Sequence, residues 1–242
     1  MRYHLLNLAR SPERLATFRQ KNPECGYFAL RLAVDGKQQD RATLISQGLM
    51  QPDLSYTDGA VGCALSHLSL WLDVMQRNEA ATIAEDDAIL RSDFREQQEK
   101  LLTTLSPDWD LVHWGFNTDA YVTFQLIPGV TPFTGMVYHN LVLNHLEEFR
   151  SARVPSRLES LLRCHGTMCY SISPRGAKKL LDYIVPLRPM SVMYPGLEHI
   201  KANTGIDDMM ADHYGYMKAY VCLPPLVVSL HDTQNSSVQT VK

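Results

Sequence analysis

Residues 81–90 read Ala-Thr-Ile-Ala-Glu-Asp-Asp-Ala-Ile-Leu, three adjacent carboxylates (Glu85, Asp86, Asp87) between two apolar stretches. The apolar, β-branched lead-in predicts a buried strand that delivers its acidic end to a surface or cleft. Side chains alternate along a strand, so Glu85 and Asp87 share one face. Two carboxylates converging there suit a hard divalent cation, Mg²⁺ or Mn²⁺, which in turn can hold a diphosphate. A solvated acidic turn accounts for the same three residues without any chemistry.

Directly upstream, apolar residues recur at Val61, Ala64, Leu65, Leu68, Trp71, Leu72 and Met75, the spacing of one buried helical stripe over 61–76. Residues 3–8 form a short apolar strand, and Ser11-Pro12-Glu13 then supplies an N-cap, a proline at N1 and an acidic first turn. Further strands are expected over 28–34, 109–114, 167–173 and 226–230, and helices over 40–49, over 93–104 and from Ser173-Pro174. This alternation predicts an α/β fold with a mostly parallel central sheet flanked by helices, binding ligands beyond the carboxyl ends of its strands. Residues 118–163 mix Pro128, Gly129, Pro132 and Gly135 with a charged segment. They read either as an insertion covering the acceptor side or as a plain surface excursion. With no internal repeat and no linker, a single domain over 1–242 is expected.

Basic and acidic residues number 23 and 26, a formal net charge of −3, and 45% of the chain is apolar. That balance offers no bulk attraction to nucleic acid or to an anionic membrane, so any phosphate binding is local. The five cysteines, Cys25, Cys63, Cys164, Cys169 and Cys222, are odd in number and lack a CxxC pair, which reads as reduced, buried thiols in a cytoplasmic protein. No stretch approaches the ~20 apolar residues that span a bilayer, and the N-terminus lacks the apolar run of a secretory signal. A soluble chain is expected, with peripheral contact at the inner face of the membrane left open.

Several ordered segments resemble one family. Leu6-Asn7-Leu8-Ala9-Arg10-Ser11-Pro12-Glu13-Arg14 resembles the opening of glycosyltransferase family 25, whose members include bacterial lipooligosaccharide and collagen galactosyltransferases. Ala33-Val34-Asp35-Gly36 is similar to its second block, Gly62-Cys63-Ala64-Leu65-Ser66-His67 followed by Glu85-Asp86-Asp87 to its central signature, and Ser171 to Leu180 to a later block. The resemblance implies a GT-A-type nucleotide-binding fold. It also implies inverting transfer of a hexose, usually galactose from UDP-galactose, to a glycan acceptor in lipooligosaccharide or surface polysaccharide assembly.

Within that resemblance, Asp87 is the first choice of metal ligand, Glu85 a supporting one, and His231 an additional one by analogy with other GT-A enzymes. Asp86 is free to hydrogen-bond ribose or backbone. Asn7, Arg10 and Arg14 stand where an α/β fold binds nucleotides. Arg10 is the preferred phosphate contact, because a guanidinium matches phosphate oxygens bidentately, whereas Arg14 serves equally as a helix-face salt bridge. Asp35 reads as a ribose or uracil acceptor or as a turn aspartate. His67 reads as a packed histidine near the nucleotide; Cys63 one turn before it does not by itself make a metal site. An inverting transfer needs a base for the acceptor hydroxyl, and Asp207 and Asp208 are the candidates, Asp207 aligning better with the family block. Their alternative role is helix capping. The stretch from Pro189 to Asn203 is longer than the family pattern. Two other functions fit part of the sequence: a non-catalytic nucleotide-sugar or glycan-binding module, and a Mg²⁺-dependent phosphohydrolase, which would need a second acidic metal site.

Overall fold

The computed structural model describes residues 1–194 and 199–230. In chain order it contains β1 (Arg2–Asn7), α1 (Pro12–Lys21), β2 (Ala29–Leu32), α2 (Arg41–Ser46), α3 (Asp58–Arg77), β3 (Ala81–Glu85), β4 (Ala88–Leu90) and α4 (Phe94–Leu102). There follow β5 (Leu111–His113), β6 (Val122–Ile127), β7 (Thr131–Gly135), α5 (His139–Asn144), α6 (Leu146–Ser151), β8 (Arg157–Arg163), β9 (Cys169–Ile172) and α7 (Pro174–Ile184). The last are β10 (Ser191–Tyr194), β11 (His199–Ala202), α8 (Ile206–His213), β12 (Ala219–Leu223) and β13 (Val227–Ser229). None of these helices is long and apolar enough to cross a membrane.

Alternation along the strands builds two cores. Leu5, Ala84, Val112 and Cys169 pack with Phe18, Phe28, Phe94 and Trp114 on one face of the sheet. Leu6, Ile83, Leu111 and Tyr170 pack with Trp71, Leu180 and Met209 on the other. Helices α1 and α4 therefore cover one face, and α3, α7 and α8 the other. Burial on both faces explains why strands such as Ala81–Ala84 read as nearly continuous apolar runs, Thr82 being the one polar member. The α3 stripe is rotated from the expected one: Val61, Ala64, Leu68, Trp71 and Val74 are buried, while Leu72 is 47% exposed.

The nine-stranded sheet runs β2-β1-β3-β9-β5-β12-β8-β6-β7. It is mixed, which corrects the expectation of a mostly parallel sheet. Parallel pairing joins β1 to β2 and β3, and β5 to β12. Strand β9 enters antiparallel between β3 and β5, and β8, β6 and β7 extend the other end with antiparallel pairs. Strand β9 does not pair with β8, which precedes it in the chain and lies two strands away across β5 and β12, so its antiparallel direction is set by pairings with β3 and β5 distant in sequence rather than by the local alternation of elements. Residues 118–163 supply β6, β7 and β8 to this sheet together with α5 and α6. The long stretch before Asn203 holds the antiparallel β10–β11 pair, outside the main sheet.

Three features of this topology make the site. The carboxyl ends of β1 and β3 lie side by side, with Leu6 paired to Glu85. The amino end of the antiparallel β9 meets the carboxyl end of β3, Ala84 pairing with Cys169. Finally, β13 pairs antiparallel with β4, Ser229 opposite Ala88, so the end of the described chain returns to the acidic cluster.

Candidate functional site

A cleft opens beyond the carboxyl ends of β1, β2 and β3. Asn7, Arg10 and Arg14 form one wall, Val34 to Gly36 a second, and Cys63, Ser66 and His67 of α3 a third, with Glu85 and Asp86 between them. The third wall is drawn in by direct backbone contact. A Cβ on Gly62 would stand 2.6 Å from Val34 O and from Gly36 N, and one on Gly36 would stand 1.7 Å from Asp58 O, so only glycine fits either position. Ser66 Oγ accepts from Val34 N at 2.8 Å and donates to Gly62 O at 2.7 Å, locking the turn to the helix. The Gly62-Cys63-x-x-Ser66-His67 pattern thus divides its labour: Gly62 and Ser66 dock the helix, while Cys63 and His67 face the cleft.

The three adjacent carboxylates are inequivalent. Asp86 is buried and turned toward β1, where Asn7 Nδ2 donates to it at 2.6 Å and Arg14 through Nε at 2.7 Å. Arg14 and Asn7 are therefore occupied in holding the acidic turn. Arg10 Nε donates to Asp35 Oδ2 at 2.8 Å at the cleft mouth, and Asp35 Oδ1 accepts from Lys37 N at 3.1 Å, so Asp35 is also a turn aspartate.

Glu85 points into the cleft and accepts from Thr167 Oγ1 and, at 3.1 Å, from His67 Nε2. Burial works to raise its carboxyl pKa, but His67, Thr167 and the Arg14 charge outweigh that and hold it below its ordinary value. His67 is itself 1% exposed, and its Nδ1 lies 2.8 Å from Tyr170 Oη, which also accepts from Trp71 Nε1 at 2.8 Å. A line of buried groups running inward from the cleft thus braces Glu85.

Asp87 is the unsatisfied member. Ser229 Oγ donates to its Oδ2 at 2.9 Å, whereas Oδ1 is enclosed and has no hydrogen-bond partner among the described residues. Burial, then the charge of Glu85, pushes its pKa up to about 6. A buried carboxylate oxygen without a donor, beside a second carboxylate, is a group whose charge a cation would satisfy. The donor chemistry of Glu85 and Asp87 therefore fits Mg²⁺ or Mn²⁺. His231, the further ligand expected from sequence, lies outside the described residues.

Asp207 and Asp208 open α8 and are separated by their surroundings. Asp208, 1% exposed, takes Lys201 Nζ at 2.9 Å and Thr204 N at 2.7 Å and lies 3.1 Å from His165 Nδ1. Burial opposes its ionisation, yet His165, the Thr204 N–H and Lys201 prevail and lower its pKa. Asp207 is 25% exposed and accepts from Gly166 N at 3.0 Å. Its charge, with those of Glu85 and Asp87, reaches the Cys63 thiol, whose pKa burial and these three carboxylates raise well above the ordinary value.

Asp208 is a structural anchor, and its substitution separates that role from catalysis. Asp208→Asn is expected to cost about 2–3 kcal/mol at pH 7, the worth of hydrogen bonds to a buried charge. A carboxylate with a lowered folded pKa stabilises the fold above its unfolded value of about 4 and loses that contribution as pH falls further. The gap between variant and parent in urea denaturation should therefore close in acid below about pH 4.

His165, Gly166 and Thr167, which touch Asp208, Asp207 and Glu85 in turn, escaped sequence reading, as did Ser229. Only Gly166 carried a signal, since glycine serves positive φ: its φ is +91°, and a Cβ there would stand 2.1 Å from Asn117 Oδ1.

A family model described as Glycosyltransferase family 25 (LPS biosynthesis protein) matches residues 1–195. Procollagen galactosyltransferase 1 of Danio rerio is 25% identical over 264 aligned residues, which cover 97% of this chain and 38% of that protein. Procollagen galactosyltransferase 1-B of Xenopus laevis is 28% identical over 180 residues, 69% of this chain and 25% of its own length. Inactive glycosyltransferase 25 family member 3 of Mus musculus is 30% identical over 142 residues, 52% and 24% respectively. The chain spans between about a quarter and two fifths of the length of these relatives. The matched residues take in the Asn7 to Arg14 wall, the docked α3 and the acidic turn, and the chain belongs to glycosyltransferase family 25.

Proposed function

We propose that this chain is a transferase domain of GT-A type that moves a hexose, galactose from UDP-galactose, to a hydroxyl of a glycan acceptor with inversion at the anomeric carbon. One observation carries the reading: the consecutive residues His165, Gly166 and Thr167 meet Asp208, Asp207 and Glu85 in turn, so that a candidate metal ligand at the cleft and a candidate base are held by one turn. Galactose is favoured by the relatives named procollagen galactosyltransferases. The family description favours an acceptor in lipooligosaccharide assembly, and five free thiols fit a cytoplasmic site of action at the inner face of the membrane.

In this reading Glu85 and Asp87 hold Mn²⁺ or Mg²⁺, which when bound offsets the charge of the diphosphate and of the departing nucleotide. Arg10, released from Asp35, is the side chain placed to take a phosphate oxygen at the cleft mouth. Asn7 and Arg14 act indirectly by fixing Asp86 and with it the direction of its two neighbours. Asp207 takes the proton from the acceptor hydroxyl as that oxygen attacks, its oxygen oriented by the Gly166 N–H.

A thermal-shift series of nucleotide sugars with and without Mn²⁺ tests the donor. Ligand at about a hundred times its Kd stabilises the native state by about 2.7 kcal/mol, which is about 5–10 °C for a domain of this size. UDP-galactose is expected to give that shift only with Mn²⁺. A shift indifferent to Mn²⁺, or none with any UDP-sugar, overturns the reading. Binding without transfer to any glycan acceptor would instead mark a non-catalytic module.

A further inference from the structure

Cys63 and His67 stand one turn apart on α3, and Glu85 ends β3. A thiol sulfur, an imidazole nitrogen and a carboxylate oxygen from these three lie within 4.8 Å of one another. All three line the cleft, so a cation reaches them from solvent. This donor set differs in kind from the oxygen pair of Glu85 and Asp87: sulfur and imidazole nitrogen favour Zn²⁺ over Mg²⁺ or Mn²⁺. Zinc bond lengths set tetrahedral ligand atoms about 3.3–3.8 Å apart, so the three atoms, now within 4.8 Å of one another, draw together when the ion binds.

The surrounding groups are those that such a site needs. A ligating histidine is oriented by a hydrogen bond at its other ring nitrogen, and His67 Nδ1 lies 2.8 Å from Tyr170 Oη. Glu85 is oriented by Thr167. Asp87 and Asp207 add negative charge around Cys63, disfavouring a bare thiolate but favouring a bound dication.

The geometry points to Cys63, His67 and Glu85 as a binding site for Zn²⁺ or a similarly soft divalent cation. Binding replaces the His67 Nε2–Glu85 hydrogen bond with bonds from both groups to the metal, the imidazole proton shifting to Nδ1, where it is donated to Tyr170 Oη, and forms a sulfur–metal bond with release of the thiol proton to water, without electron transfer. Because Glu85 belongs to both donor sets, Zn²⁺ in this site excludes Mn²⁺-dependent nucleotide binding, a consequence that rests on the donor-site reading of the cleft.

Co²⁺, a spectroscopic substitute for Zn²⁺, is titrated into the reduced protein. One equivalent is expected to produce a thiolate-to-cobalt charge-transfer band that Zn²⁺ displaces. The band should vanish in Cys63→Ser, and cobalt affinity should fall at least about tenfold in His67→Gln. His67→Gln also serves as the deciding variant should Cys63→Ser fail to fold. The other four cysteines are 6% exposed or less, so a band that persists in Cys63→Ser, or no band in the parent, overturns the site. Calorimetry of UDP with Mn²⁺ reads the consequence separately. Loss of UDP binding on adding one equivalent of Zn²⁺ supports exclusion through Glu85, and UDP binding indifferent to Zn²⁺ overturns it. UDP that binds under no condition overturns the donor-site reading, while the cobalt band alone decides the cation site.

Discussion

Asp87→Asn should lose at least about 100-fold in Mn²⁺-dependent affinity for UDP while melting no lower than the parent at pH 7. The loss follows from removing a charged ligand, more severe than the 10–100-fold typical of a supporting residue. The preserved stability follows from the environment. Asn keeps an oxygen for Ser229 Oγ and dispenses with a negative charge that burial and Glu85 already penalise. A carboxyl whose folded pKa is raised to about 6 takes up its proton more readily in the fold, so its contribution to stability declines as pH rises from about 4 to about 6. Above that window the ionised side chain works against the fold, and Asn relieves it. Isothermal calorimetry with UDP and Mn²⁺, beside melting curves, checks both halves; unchanged UDP affinity would sink the metal assignment.

Asp207→Asn has the complementary signature. Loss of a general base lowers turnover by about 10²–10⁴ while leaving donor binding near the parental value. The fold should survive, because Asp207 is partly exposed and its main contact, the Gly166 N–H, can be met by the Asn oxygen. Steady-state transfer assays with UDP calorimetry on the same variant make the separation. If the variant transfers sugar at the parental rate, the base lies elsewhere. An α-linked product from the α-linked donor would exclude the single inverting displacement that gives Asp207 its role.

What the sequence made legible was local. The acidic turn, the helix before it and the Ser11-Pro12 helix start all follow from periodicity and capping chemistry within a few residues. Strand direction was not legible, because β9 lies between β3 and β5 through pairings about 60 to 90 residues apart, which no local pattern encodes. The β12 strand, Ala219–Leu223, is a short apolar run that reads equally as buried helix. Within the site, Asn7, Arg14 and Asp86 each stood out, but that they satisfy one another across 79 and 72 residues emerges only on folding. The same holds for Asp208, whose acidic helix start looks identical to that of Asp207 until Lys201 closes over Asp208 and His165 comes to 3.1 Å from it against 3.9 Å from Asp207.

The turn held by Gly166 has a mechanical consequence. His165, Gly166 and Thr167 are consecutive, yet they meet Asp208, Asp207 and Glu85 respectively. The distance between the two acidic centres is thus gauged by three residues, the central one of which tolerates no side chain. A displacement of this turn is shared by all three carboxylates, so the two acidic centres are toleranced together, as parts cut from one template.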